Sequence, residues 1–138
     1  MARFLLPAVS VFGIGCGAAS YTMIATAASP TPVSDVFRCV RERIPQIGFS
    51  QSSVDVDEHR VSAQRYNEAA RRPDVRFRRL VDVLEIDVRA DTTGETTLVV
   101  QSKTFAEYVT ERGQTFLQES ASERARTAGQ SVLDSCGH

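Results

Sequence analysis

The spacing of apolar residues along this chain changes several times, and each change marks a different element. From Phe4 to Ser34 no residue is charged, and Arg3 is the one charge before that run. Val33, Val36, Phe37, Val40 and Ile44 then recur at helical spacing, with Cys39 at the margin of the stripe. Ser34 is placed to cap this helix and Asp35 to sit at the positive end of its dipole, while Pro45 and Gly48 end it. Val54 and Val56 alternate with Asp55 and Asp57, as do Val61 and Ala63 with Ser62 and Gln64, which predicts a hairpin turning through Asp57-Glu58-His59-Arg60. A polar, Arg-rich loop follows from Asn67 to Arg79.

Leu80 to Ala90 is the strongest strand pattern in the chain. Val81 and Val83 fall on one face, and Leu84, Ile86 and Val88 on the other, which predicts a bulge near Val83-Leu84. After a turn at Asp91-Thr92-Thr93-Gly94-Glu95, a fourth strand runs from Thr97 to about Thr110. Its end has a competing reading as a short helix, because Thr104-Phe105-Ala106-Glu107 fits a capping box. Ser120-Ala121-Ser122-Glu123 is a second capping box, opening a last helix whose apolar face is Ala125, Ala128, Val132, Leu133 and Cys136. The expected fold is therefore α+β: helix, four antiparallel strands, helix, in a two-layer sandwich with the terminal helices on one face of the sheet. The expected organisation is a signal peptide or membrane anchor over 1–28, a proline-bearing linker over 29–34 and a single domain over 35–138.

The uncharged N-terminal run behind Arg3 reads as an export signal, so the rest of the chain is expected outside the cytoplasm. Three outcomes stay open for it. Ala25-Thr26-Ala27 is a small-x-small site for simple cleavage. Phe4 to Ala28 is also long enough to remain as a membrane span, for which about 20 residues suffice. Finally, Gly13-Ile14-Gly15-Cys16 resembles the lipobox of small bacterial envelope lipoproteins, with Gly13 where that pattern usually has Leu. The resemblance implies lipidation at Cys16 and attachment to membrane lipid through the N-terminus. It gives Cys16 a role of its own and leaves Cys39 and Cys136, which are expected to oxidise to a disulfide in an exported domain; two buried free thiols are the alternative.

Composition narrows the function. Removing Arg3 from the 16 basic residues leaves 15 against 17 acidic ones, so the body has no overall electrostatic preference for nucleic acid, and none is expected as a partner. The two histidines are His59, in a predicted turn, and His138, the last residue printed. Neither they nor the cysteines fall into a catalytic, metal-binding or phosphate-loop motif, so no catalytic residue, metal or cofactor is expected. Asp55 with Asp57, and Glu85 with Asp87, share strand faces and read as solvated polar positions. The one charged cluster with ligand-binding potential is Arg71, Arg72, Arg76, Arg78 and Arg79, whose guanidinium groups suit phosphate or carboxylate. Its alternative is a solvated loop neutralised by Asp74, Asp82, Glu85 and Asp87. Two function classes follow: a non-catalytic tethered subunit of a membrane-associated complex, partnered by another envelope or membrane protein, or a monomeric envelope module that binds a lipid or other anionic ligand.

Overall fold

The longest strand organises the molecule. The computed structural model describes residues 21–138, within which the elements are β1 (Met23–Ser29), α1 (Val33–Gln46), β2 (Ser50–Asp55), β3 (Arg60–Asn67), β4 (Phe77–Ala90), β5 (Thr96–Thr110), β6 (Gly113–Glu119) and α2 (Glu123–Cys136). The fold is α+β, with one six-stranded antiparallel sheet in the order β1-β5-β4-β3-β2 and β6 also paired to β5. On one edge of β5 lies β4. On its other edge β1 and β6 lie end to end, β1 from Ser29↔Thr96 to Met23↔Ser102 and β6 from Glu119↔Thr104 to Gly113↔Thr110. Where they meet, Ala121 N–H donates to the Tyr21 carbonyl at 3.1 Å and Gln118 Nε2 to Thr22 Oγ1 at 2.9 Å.

The sheet thus has six strands rather than four, and the two additional ones come from segments without strand periodicity. Met23-Ile24-Ala25-Thr26-Ala27-Ala28-Ser29 is uncharged and mostly small after Ile24, with no apolar-polar alternation, so its strand character comes from pairing with β5. The segment expected as a linker is built into the fold. Ser29 is fully buried, its Oγ donates to the His138 carbonyl at 3.0 Å, and Thr96 Oγ1 donates to the Thr31 carbonyl at 2.6 Å. Helix α1 starts at Val33 with Pro32 in the cap position, so Ser34 lies in its first turn and does not cap it. Helix α2 is capped by Ser122, two residues later than expected, because Ala121 is held by the Tyr21 carbonyl and Ser122 by Thr104 and Asp82. Cys16 and the rest of the run before Tyr21 lie outside the described residues.

Other expectations meet the structure directly. Phe105 to Thr110 is strand, held by β4 and β6 on its two edges. No bulge occurs at Val83-Leu84: β4 pairs with β5 in unbroken register from Arg79 to Ala90, and the register shift lies between Phe77 and Arg79. The valines need no bulge to reach their side of the sheet. Strand alternation puts Val81 opposite Phe105, and Val81 is buried there away from the main core.

That main core draws on both helices. Val36, Phe37, Val40 and Ile44 of α1 and Ala128, Val132 and Leu133 of α2 cluster with Val61, Ala63, Leu84, Ile86, Val88, Leu98 and Val100. Ala25 and Ala27 of β1 pack against the same cluster. Helix α2 comes very close to the sheet: a Cβ added at Gly129 would lie 2.5 Å from Ser102 Oγ and 3.3 Å from Val100 Cγ1. Cys39 and Cys136 form a disulfide with their Cα atoms 5.7 Å apart, joining α1 to the end of α2 across 97 residues of sequence. Among the described residues no helix is long and apolar enough to cross a membrane.

Closing a loop of this length stabilises a domain by about 4–5 kcal/mol in the chain-entropy model. For a domain of this size that corresponds to a melting temperature shift on the order of 20 °C. Cys39→Ser or Cys136→Ser should therefore melt far below the unsubstituted protein under oxidising conditions, and a reductant should bring the unsubstituted protein down to the same value. Equal melting temperatures for all forms would show that the crosslink does not stabilise the domain.

Candidate functional site

The arginine cluster is spread by the loop between β3 and β4 into several separate environments. Arg72 forms a two-pronged pair with Glu119 of β6, with Nη2 at 2.6 Å from Oε2, and its guanidinium lies 5.1 Å from the centre of the Phe77 ring. The hydrogen bond to Glu119, and a second to Tyr108, raise the Arg72 pKa well above its ordinary value. Arg76 pairs with Asp74, Nη2 to Oδ2 at 3.0 Å. The Arg76 side chain and backbone hold the Asp74 carboxyl below the usual carboxylate range. Arg71 donates to the carbonyls of Glu68 and Ala70. Arg78 is exposed and makes none of these contacts.

Arg79 is the member drawn into the protein. Its Nε donates to Glu107 of β5, its Nη1 to Glu68 at 3.1 Å, and its guanidinium stacks 3.6 Å from the centre of the Tyr66 ring. Burial pulls the Arg79 pKa down, but the hydrogen bond and charge of Glu107, together with Glu68 and Tyr66, outweigh it and the net shift is upward. Glu107 is fully buried, and its second oxygen, Oε1, has no hydrogen-bond partner among the described residues. A carboxylate so enclosed depends on its one strong cationic partner.

The acids expected to neutralise the loop are mostly engaged elsewhere. Asp82 is buried where α2 begins: Thr104 Oγ1 and Ser122 Oγ both donate to its Oδ1 at 2.7 Å, and Ser122 in turn accepts from Ala125 N–H to cap α2. Glu85 pairs with Lys103 at 2.7 Å, and Asp87 with Arg89 at 2.5 Å and Arg60 at 3.7 Å. Only Asp74 of the four serves the loop; Glu119, Glu107 and Glu68 do the rest. Asp55 accepts from the Glu58 N–H within its own turn. Among the described residues no three His, Cys, Asp or Glu side chains are grouped as metal ligands.

A second basic feature arises from residues far apart in sequence. A groove of about 480 Å³ lies between α1 and the β2–β3 hairpin, lined by Phe37, Arg38, Arg41, Val56 and His59 among others. His59 occupies the turn with φ of 52°, and its ring meets Phe37 edge-on at 5.3 Å. Arg41 lies 5.9 Å from the centre of the same Phe37 ring, and Arg38 pairs with Asp35 at 3.2 Å. The groove therefore combines an aromatic floor with cations at its rim, next to Glu42. Sequence reasoning did not find it, because helix periodicity marks Phe37 as core and nothing local joins it to a histidine 22 positions later.

The two kinds of arginine should differ in their effect on stability. Breaking a buried ion pair costs about 3–5 kcal/mol, and the partial exposure of Arg79 places its loss toward the lower end. Arg78→Ala should stay within about 0.5 kcal/mol of the unsubstituted protein. Urea denaturation of Arg79→Ala, Glu107→Ala and Arg78→Ala measures this directly, and equal costs for Arg78 and Arg79 would contradict a structural role for the Arg79–Glu107 pair. The chain matches no protein-family model, and no curated protein shows significant similarity to it.

Proposed function

We propose that this protein is a non-catalytic, membrane-tethered envelope protein that serves as an accessory or structural subunit of a membrane-associated complex. The observation that carries the proposal is the position of β1. The uncharged apolar run reaches the sheet without an intervening linker, since β1 starts at Met23 and pairs with β5 along its whole length. Cleavage after Ala27 would remove five of the seven paired residues of β1 and the packing of Ala25 and Ala27 against the core. Lipidation at Cys16, or retention of the run as a membrane span, would leave the strand whole. Either outcome holds the domain close to a lipid surface at the junction of β1 and β6. Tyr21, Met23 and Ile24 are exposed beside that junction and offer an apolar contact to a membrane protein partner. The domain itself is proposed to be a two-layer sandwich, both helices lying on one face of the sheet; the single core shared by α1, α2 and one set of alternating strand positions supports this.

The polar groups of the domain support a role in placement rather than turnover. Asp82 and Thr104 hold the start of α2, Glu107 holds Arg79, and the disulfide holds the helices together, so the buried chemistry is engaged in structure.

The groove beside α1 favours a second reading, a module that binds a lipid or other anionic ligand. Arg38 and Arg41 at its rim supply charge, and Phe37 and Val56 supply an apolar wall. On this reading Arg38→Ala combined with Arg41→Ala should lower association with vesicles containing phosphatidylglycerol several-fold at low salt and leave the melting temperature within a few degrees of the unsubstituted protein. Unchanged association would remove the reading.

For the tethered subunit, the decisive measurement is the intact mass of the protein recovered from membranes together with the identity of what co-purifies after gentle solubilisation. A mature chain that keeps residues 23–29, carries an acyl group or its apolar run, and brings a membrane protein with it is the expected result. A soluble, unlipidated chain starting at Ala28 would overturn the tether, and recovery without a partner at native levels would overturn the accessory role.

A further inference from the structure

The sheet ends in two edges that are built differently. On one side the outer strand is β2, which carries a register shift between Gln51 and Ser53 and a charge at Asp55. Bulges and charges of this kind keep an edge from pairing with another chain. On the other side β6 has no register shift, and its one charge, the terminal Glu119, is already paired with Arg72. It pairs with β5 in continuous register, it contains no proline and no charge from Gly113 to Gln118, and Phe116 and Leu117 are 51% and 55% exposed. Among the described residues no strand lies along its outer edge.

The strand also matches itself when reversed. Gln114-Thr115-Phe116-Leu117-Gln118 has glutamine at both ends and a large apolar residue at the centre. If two copies pair antiparallel about Phe116, Gln114 faces Gln118 of the second copy, Thr115 faces Leu117, and Phe116 faces its own equivalent. An isologous two-fold contact requires self-matching of this kind.

We propose that β6 is a homodimerisation strand: a second copy of this chain adds its own β6 antiparallel and extends the sheet across both protomers. The bonds are main-chain hydrogen bonds along the edge, and the Phe116 pair at the axis supplies the central side-chain contact. One strand pair is a smaller contact than the roughly 1,200 Å² of a stable complex. Dimerisation is therefore concentration-dependent, and copies confined to one surface reach it more readily than copies free in solution. The proposal does not require the tether, so its failure would leave that reading standing.

The test uses the full chain in mild detergent, with protein mass measured by light scattering over a range of concentrations. The unsubstituted protein should move from one to two copies as concentration rises. Phe116→Lys and Phe116→Glu should each stay at one copy, because like charges then face each other across the axis, while an equal mixture of the two should recover the two-copy species. A single-copy mass for the unsubstituted protein throughout, a dimer that survives Phe116→Lys, or a mixture that stays at one copy would each overturn the proposal. A dimer insensitive to Phe116 would place the contact elsewhere, and a single-copy protein that captures a different chain would assign the edge to a heterologous partner. A second variant does not depend on placing a charge in the strand. Residues opposite each other in an antiparallel pair have Cβ atoms about 4.5–5.5 Å apart, so oxidised Phe116→Cys should give covalent dimers well above the level seen with Val75→Cys, whose position in the β3–β4 loop is almost fully exposed. Equal crosslinking of the two would count against the edge.

Discussion

Everything in this domain depends on the two-sided pairing of β5. A strand of 15 residues needs partners along its full length on both edges, or its buried backbone groups lose their hydrogen bonds. Strand β4 supplies one edge without interruption after the shift at Phe77. No single segment supplies the other. Residues 23–29 cover the first half and residues 113–119 the second, so the beginning of the described chain and a segment near its end become neighbours. The hydrogen bonds of Tyr21 and Thr22 to Ala121 and Gln118 close the seam between them. Thr104, at the seam on β5, then accepts from the Ser122 N–H and donates to Asp82, which fixes where α2 starts. From that point α2 runs back over β5, with Gly129 allowing the close approach, until Cys136 reaches Cys39.

The same topology decides which arginines are available for binding. An exposed ion pair contributes little to stability, so Arg76 can exchange Asp74 for an external anion at small cost. Arg79 is held differently. Its partner Glu107 is fully enclosed on β5, and leaving that carboxylate unpaired would cost several times more than an exposed contact returns. The cluster that looks continuous in sequence is therefore energetically divided: Arg79 belongs to the sheet, Arg72 ties the loop to β6, and Arg78 is left at the surface.

How much of this was legible in the sequence follows from where the information lies. Val36, Val40 and Ile44, and Leu84, Ile86 and Val88, declare their elements because one face is buried and the other is wet, and periodicity records that contrast. Residues 23–29 record nothing of the kind. Both faces are uncharged and neither alternates with polar residues, and the segment continues an apolar run that reads equally well as an export signal. Strand β6 is silent for the opposite reason: Gly113 to Gln118 are all exposed, so no alternation distinguishes it from a loop. The disulfide was legible because the expectation of export, together with two cysteines at the margins of the helices, suffices to predict it. The groove at Phe37 and His59 was not, because it exists only once the β2–β3 hairpin folds against α1. The bulge expected at Val83 illustrates a third case, in which a sheet buries residues on both faces and a change of face imitates a change of register.

If the apolar run is an export signal, as proposed, it continues directly into the sheet at β1, and the stability of the domain is tied to how that run is processed. Helix α2 buries mainly Ala125, Ala128, Gly129, Val132 and Leu133, a low apolar payload at about 25 cal/mol per Å² of surface removed from water. Such a helix contributes less than a leucine-rich one, and the domain makes up the difference with features that act over long sequence separations: the Cys39–Cys136 bond and the pairing of β1. On the proposed reading both depend on export. The bond needs an oxidising compartment, and β1 needs processing to stop short of Met23. On the proposed reading, a chain that stays in the cytoplasm lacks the crosslink and a chain cut after Ala27 lacks most of the strand, so either form has lost one of the two long-range closures of a domain with a modest core. Placement and folding are then the same requirement, imposed on one stretch of sequence that has to serve as address before it serves as structure.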